Sequence, residues 1–489
     1  MNRQEILLTE QCGTLGRLRL YVKDEEHNRV VRLSSSDTFA KSFTHRLQDL
    51  FREIFLPHGY PDSVSEDYLE YQIWDTVQAF CSTITGTFTT QAILKSVGVG
   101  DANATPFAAA FTWIMKDGTG MIGRIIFAWW KGNGLDTDCK KWRFFADILN
   151  DAAMFLELLV PYISNVSLQV LCITTSMKAV VGVAGSATRA AITQHQAIQG
   201  NMADVSAKDG SQETFVNLIA SFVGIVLLAI VTDGHYQWLV FLIFTFIHLM
   251  ANYFAVCSLN IPHLNIARLV LVLRTYLRFD TVPNPLHVNR KESVVIGFGQ
   301  SVREICGFDI EVGEPLTRIP LTTTLLELTQ MVDVYKNSNY FLLPDIRKKV
   351  IYIALEKGES PKDVISAYFH AVLLGIVICY YNQVPVNVYS KRQLRLVTPI
   401  MRVYSALKTF SKNLTSIEES VPLEMLRTFN ELVTQEITMF FTALRINGWD
   451  ISTHSIEAGQ WRAQWKTSTE KNNDDGVPDY VQNKHSKSE

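Results

Sequence analysis

Lys116-Asp117-Gly118-Thr119-Gly120-Met121-Ile122-Gly123-Arg124 interrupts an apolar run that reaches from Ala104 to Trp130. Charges in such a run must be paired, be solvated in a cavity, or mark the run as no membrane span, because an isolated charge in an apolar medium is costly. The choice decides between a membrane bundle and a soluble helical core. The same letters spell Gly118-x-Gly120-x-x-Gly123, which cradles a pyrophosphate when it follows a strand and opens a helix. The flanks here have helical period and no strand-helix-strand unit surrounds them, so the glycines are read as small residues that let helices approach closely. Lys116 and Asp117 are about 100° apart on a helix and are poorly placed for each other. Their partners are expected on another helix.

Working outward, the chain divides by composition. It has 489 residues, 47% hydrophobic and 19% charged, with a net charge of -3. Between about Tyr71 and Cys257 apolar runs follow one another, whereas the region after Arg278 reads as an ordinary soluble domain. No basic field or Lys/Arg-rich arm is present, so nucleic acid is not an expected partner. The seven cysteines are widely separated, with no Cys-x-x-Cys pair and no His-x-x-x-His, so neither a metal site nor a disulfide framework is expected. No Walker loop, nucleophile elbow or His-Glu-x-x-His occurs, and no cofactor is implied. The N-terminus lacks a continuous apolar core, so no secretory signal is expected.

Six helical candidates fill the apolar half, at 71–97, 105–130, 142–163, 167–187, 215–231 and 236–258. Each approaches the roughly 20 residues that cross a bilayer. The last two qualify on hydropathy alone, while the first three carry Asp75, Gln78, Lys116, Asp117, Asp147, Asp151 and Glu157. Loop charge supports the membrane reading. Lys131, Lys140, Lys141 and Arg143 follow the second candidate, Arg189 and Lys208 lie between the fourth and fifth, and Arg268 and Arg274 follow the sixth, whereas the alternate turns are nearly bare of bases. The pattern predicts an integral membrane protein in contact with lipid, with both termini on the inner, cytoplasm-like side.

The expected organisation is an N-terminal region at 1–70 carrying an amphipathic helix (Phe39, Phe43, Leu47, Leu50, Ile54), a helical membrane domain at 71–260, a linker at 261–290, a soluble α+β domain at 291–466 and a disordered tail at 467–489. The fold class is mainly α. In the soluble part, strands are expected at 294–296, 308–312, 340–343 and 349–355, and Ser360-Pro361 opens a buried core helix.

Several longer motifs carry a family resemblance. Leu56-Pro57-His58-Gly59-Tyr60-Pro61-Asp62-Ser63-Val64, Asp67-Tyr68, Tyr71-Gln72, Trp74-Asp75, Gly98-Val99-Gly100-Asp101-Ala102, the opening stretch, Phe145-Ala146-Asp147-Ile148-Leu149-Asn150-Asp151 and the polar run 201–214 resemble the root UV-B sensitive (RUS) family. Gly448-Trp449-Asp450 and Trp461-Arg462 extend the match more weakly. The resemblance implies links to vitamin B6 balance, seedling growth under UV-B and auxin transport, and action in pairs, hence a homodimer or a heterodimer with another RUS member. It brings no catalytic residues. The six-segment layout is also similar to half of a major facilitator transporter, with Gly- and Arg-bearing segments after the second and fourth helices, although the Gly123-Arg124 pair lies inside a helix and the expected Asp before it is displaced. A lone half needs a second set of helices to enclose a pathway.

Candidate residues follow from this. Asp147, Asn150 and Asp151 share a helix face by three-and-four spacing and can coordinate a cation, relay protons, or receive Lys116 and Arg124. With Asp117 they form the expected substrate or ion pathway, set against a purely structural ion-pair network. Arg189, Asp204, Lys208, Asp209 and Glu213 form an expected inner loop or gate, set against simple helix capping. Gly118, Gly120 and Gly123 are assigned to packing, and His195, His235 and His248 to core or surface. The leading expectation is a transporter-like protein that moves or senses a small polar metabolite. Its rivals are a membrane scaffold whose C-terminal part recruits a partner and a soluble enzyme of vitamin B6 metabolism.

Overall fold

Helices occupy all six of the apolar segments in a computed structural model that describes residues 6–12, 17–24, 29–34, 43–96, 106–163, 166–318, 325–386, 398–407, 417 and 421–465. The tail at 467–489 and the motif at 98–102 lie outside these residues. Before the helices, β1 (Ile6–Cys12), β2 (Arg17–Asp24) and β3 (Arg29–Ser34) form an antiparallel sheet in that order. The amphipathic segment is α1 (Phe43–Phe55). The bundle then consists of α2 (Tyr68–Ser96), α3 (Pro106–Lys131), α4 (Cys139–Leu159), α5 (Ser167–Gln196), α6 (Met202–Ile230) and α7 (Gly234–Ser258).

Two compact units share the chain: residues of Met1–Ser301 with Met439–Glu457, and residues of Val302–Thr438 with Ala458–Glu489. In the first, α2 is central and packs on α7, α6 and α4, while α3 lies chiefly along α5. Ile84, Phe88, Met154, Leu158, Ala220 and Phe241 form one shared core. Glycine permits two close approaches. A Cβ on Gly120 would lie 2.7 Å from the Thr175 side chain, and one on Gly224 would lie 2.7 Å from Thr87 Oγ1. Gly123 sits against Ser176 at ordinary contact distance, whereas a Cβ on Gly118 would meet open space. The outward faces are strongly apolar: Phe107, Ile114, Ile125 and Trp129 of α3, Leu218, Phe222 and Ile225 of α6, and Leu239, Leu242 and Phe246 of α7 are all exposed.

Residues 261–290, expected as a linker, are ordered. They form β4 (His263–Asn265), α8 (Ile266–Phe279) and α9 (Pro285–Lys291). Asn265 caps α8 by accepting from the Arg268 amide, and Leu269, Val272, Leu273 and Tyr276 recur at helical spacing and are buried. That spacing was readable, but the intervening arginines masked it.

The second unit contains α10 (Val302–Cys306), β5 (Asp309–Val312), α11 (Leu325–Val334), β6 (Tyr340–Asp345), β7 (Val350–Leu355), α12 (Pro361–Tyr381) and α13 (Pro399–Leu407). Its sheet runs β5-β7-β6, with β5 parallel and β6 antiparallel to β7. α14 (Leu423–Ile446) begins in this unit, and β8 (Asp450–Ser455) pairs with β4 in the first. The strand expected at 294–296 is instead a turn, because Gly297 and Gly299 adopt φ of +83° and +131°.

Among the described residues, four helices are long and apolar enough to cross a membrane: α5, α6, α7 and α12. Only α12 is enclosed by protein, with 89% of its apolar stretch buried, against 22%, 11% and 33% for the others. A Ser360–Asp363 capping box starts it and β5, β6 and β7 cover it.

Candidate functional site

α4 is the polar spine of the bundle. Arg143, Asp147, Asp151 and Glu157 fall on one broad face of it, and over the fourteen steps from the first to the last the helix rises roughly 21 Å. Each is met by a neighbouring helix. Arg143 donates to Asp75 of α2 at 2.8 Å. Asp147 accepts from Gln78 of α2 at 3.0 Å and from Asn252 of α7. Asp151 lies 2.8 Å from His248 Nδ1 of α7, and Gln78 Nε2 lies 2.9 Å from His248 Nε2. Lys178 of α5 pairs with Glu157 at 2.5 Å.

The geometry fixes a tautomer. Gln78 Nε2 carries only hydrogens to give, so His248 Nε2 accepts, and His248 Nδ1–H donates to Asp151. The imidazole thereby links the two carboxylates through one amide. His248, Asn252, Asp147, Asp151 and Glu157 are all buried. Satisfaction is incomplete: Asp151 Oδ1 and Arg143 Nε are buried without a hydrogen-bond partner. Such a file of carboxylates and imidazole can pass a proton or accept a cation, and it also ties α2, α4 and α7 together.

The charges of the opening stretch do not join this file. Lys116 lies 3.8 Å from Asp117 and 4.4 Å from the Trp113 ring centre, and Arg124 is exposed with no ion pair among the described residues. The reason is packing: Asp147 and Asp151 of α4 turn to α2 and α7, while α3 runs along α5. Asn150 is half-buried and outside the network. Gln78, His248 and Asn252 were missed as partners. Gln78 and Asn252 carry no charge, and His248 stands alone in an apolar run, so spacing gave them no signal.

The polar run 201–214 is not a loop. It forms the first turns of α6, which Asn201 precedes. One side of it holds the end of α1: Asp204 accepts from the His58 amide at 2.6 Å, and Lys208 and Gln212 donate to the carbonyls of Glu53 and Phe55 at 2.5 Å each. Another side grips α5 and α2, through Arg189 to Asp209 and Glu213 at 2.6 Å and through Gln72 to Asp209 at 3.2 Å. This run therefore clamps three helices at one end of the bundle.

A second buried knot anchors the segment after α7. Lys140 donates to Asn289 and to the Leu259 carbonyl at 2.7 Å and lies 3.5 Å from Glu292, which also meets Arg268 at 3.3 Å and Asn265 at 2.8 Å. Burial alone would raise the Glu292 pKa, but Arg268 and Lys140 outweigh it and hold the carboxyl below its ordinary value. Asp67 is governed the same way: burial opposes its charge, and His195, Ser65 and the Asn260 amide keep it below the usual range. Among the described residues no group of three or more His, Cys, Asp or Glu side chains is placed to hold a metal ion.

Residues 41–280 match the family model described as the vitamin B6 photo-protection and homoeostasis domain, and 281–465 match that of the root UVB sensitive protein C-terminal domain. The chain belongs to the root UVB sensitive (RUS) family. Protein root UVB sensitive 3 of Arabidopsis thaliana is 37% identical over 357 residues, covering 71% of this chain and 80% of that protein. RUS family member 1 of Dictyostelium discoideum is 46% identical over 272 residues, covering 55% of this chain and 50% of that protein, so the match spans about half the length of that relative. Protein root UVB sensitive 2, chloroplastic, of Arabidopsis thaliana is 29% identical over 344 residues, 70% of this chain and 77% of that protein. No solved structure matches. In this RUS chain the boundary between the two matched regions falls between α8 and α9, and the Lys140–Asn289–Glu292 knot joins residues from both sides of it.

Proposed function

We propose that this RUS protein sits in a membrane and moves or senses a small polar metabolite through the polar file of α4. The observation that carries this reading is the run Arg143, Asp147, Asp151, Glu157 with His248 between α4 and α7, because ionisable side chains held inside an apolar-faced bundle mark ion, proton or substrate routes. The exposed apolar faces of α3, α6 and α7 would meet lipid, and the exposed stripe Leu47, Leu50 and Ile54 of α1 suits a membrane surface. The pathway narrows from the residues expected at first to Asp147 and Asp151 with His248, Asn252 and Gln78. Lys116, Asp117 and Arg124 are reassigned to the outer side of α3, where a second six-helix set, from another copy or another RUS member, would complete the pathway. The family description makes a vitamin B6 compound the first cargo to try.

The test is uptake of labelled pyridoxine by proteoliposomes under an imposed pH gradient. Asp151→Asn and Asp147→Asn should each remove uptake while the protein still folds and stays in the vesicles. Uptake unchanged by both would end the reading.

The structural rival has its own support: most polar atoms of the file already have partners, as in an ion-pair network that only joins helices. Under that rival the two substitutions lower the melting temperature and leave any transport in proportion to folded protein.

A further inference from the structure

Two connecting segments meet where α5 passes into α6: the stretch 57–67 before α2 and the turn 197–201. The Ser65 amide donates to the Gln196 carbonyl at 3.0 Å, and Gln199 Nε2 donates to the Asp62 carbonyl at 2.9 Å. Val64, Tyr68 and Val205 are buried there in one apolar cluster, with Tyr60 and Ala197 packed against it. Four polar atoms at this junction are unmatched. Ser63 Oγ, Gln196 Nε2 and both Asn201 Nδ2 and Oδ1 are buried without a hydrogen-bond partner, and Ser63 and Gln196 are only 1% and 2% exposed. Asn201 directly precedes α6 yet its side chain does not cap the helix, although asparagine is a preferred cap. The buried Asp67 carboxylate is already engaged by His195, Ser65 and the Asn260 amide, and Asp204 accepts from the His58 amide.

We propose that this junction binds a small uncharged carboxamide. An unmet buried donor or acceptor costs stability, so several kept together in one place call for a partner from outside the chain. The unmatched atoms belong to two amides and a hydroxyl, which carry no charge, so a neutral ligand suits them better than an ion. Asn201 offers an N–H and a C=O in one plane. A carboxamide meets that pair with its own carbonyl and N–H, as asparagine meets the edge of adenine. Gln196 Nε2 and Ser63 Oγ supply donors for the second lone pair of the ligand carbonyl, and the Val64, Tyr68 and Val205 cluster suits its organic body. Ile198, Gly200 and Met202 are exposed, so the junction lies beside solvent. The site shares no residue with the α4 file, and the transport reading stands or falls without it.

Calorimetric titration of the full chain in neutral detergent tests it, with benzamide as the probe and benzoate, of the same shape but charged, as its comparison. Benzamide should bind saturably, and benzoate about tenfold more weakly or worse, since its charge finds no counter-ion at the site. Asn201→Ala removes both groups of the amide and should weaken benzamide about tenfold, the scale of two net hydrogen bonds. Ser63→Ala should weaken it about threefold. Neither side-chain group bonds within the fold, so both variants should keep the melting temperature of the unliganded parent. Gln237→Ala, at the start of α7 and hence beyond the far end of α6, should leave binding unchanged. Saturable binding of neither probe, benzoate binding as tightly as benzamide, or unchanged benzamide binding in both variants overturns the proposal. A melting temperature lowered by both substitutions overturns it as well, because the fold would then be satisfying those groups itself.

Discussion

α7 and α12 are nearly the same helix by composition and very different ones by surroundings. Their mean hydropathies are 2.0 and 1.9, yet 33% of the apolar stretch of α7 is buried and 89% of that of α12. Hydropathy reports that a helix leaves water, without saying whether lipid or protein receives it. For α12 the receiver is protein, because β5, β6 and β7 cover it. Each helix also holds a fully buried histidine, and the two are treated in opposite ways. His248 lies between Asp151 and Gln78, whereas His370 is ringed by Tyr335, Tyr340 and Phe429.

The largest effect should separate the two surroundings. Leu373 of α12 is fully buried in protein, so Leu373→Asp strands a charge in the core and should cost more than about 4 kcal/mol, enough to unfold the second unit. Phe222 of α6 is 63% exposed, so Phe222→Asp should leave the bundle folded in detergent and instead weaken its retention in carbonate-washed membranes. Limited trypsinolysis and membrane extraction read the two outcomes. Equal unfolding by both substitutions would erase the distinction.

What the sequence carried is visible in the same helices. Their existence followed from period and length, and the α12 start followed from Ser360-Pro361 and Asp363. Asp147 and Asp151 were legible because spacing puts two acids on one face. Their partners were not, since Gln78 and Asn252 come from other helices and tertiary packing alone decides which face meets which. The extent of α6 was misread for a related reason: 201–214 is polar, and polarity hides a helix whose partners are the backbone end of α1, a single arginine of α5 and Gln72 of α2. α8 and α9 went unread because the arginines between their apolar positions made the segment look like a linker.

A smaller effect is expected within the buried histidine of α7. His248→Phe keeps the bulk but removes the donor to Asp151 Oδ2, and since Oδ1 already lacks a partner, neither oxygen is left with a protein hydrogen bond. The cost should be roughly 3 kcal/mol, in the range for stripping one partner from a buried charged pair. Thermal unfolding in detergent measures it. A change below about 0.5 kcal/mol, the scatter of neutral surface substitutions, would mean that Asp151 is carried by other groups.

The same substitution in α12 should do almost nothing at neutral pH. Burial drives the His370 pKa down to about 3, and its Nε2 has no partner, so the ring is neutral in the fold and held chiefly by its aromatic neighbours. His370→Phe therefore exchanges one flat ring for another among Tyr335, Tyr340 and Phe429, with loss of the contact from Tyr340 Oη at 3.3 Å. The change should stay within about 1 kcal/mol at pH 7. Acid reveals the difference. Below the ordinary histidine pKa of 6.5 the unfolded chain takes up a proton that the folded chain refuses until about pH 3, so native stability falls as pH drops through that window. The full loss is on the order of 5 kcal/mol, from a displacement of about 3.5 units. His370→Phe should abolish this part of the acid sensitivity, read as α12 amide protection from hydrogen exchange at pH 4.5 relative to pH 7 and corrected for intrinsic rates. An unaltered loss of protection in the variant would place the acid-sensitive group elsewhere in the second unit.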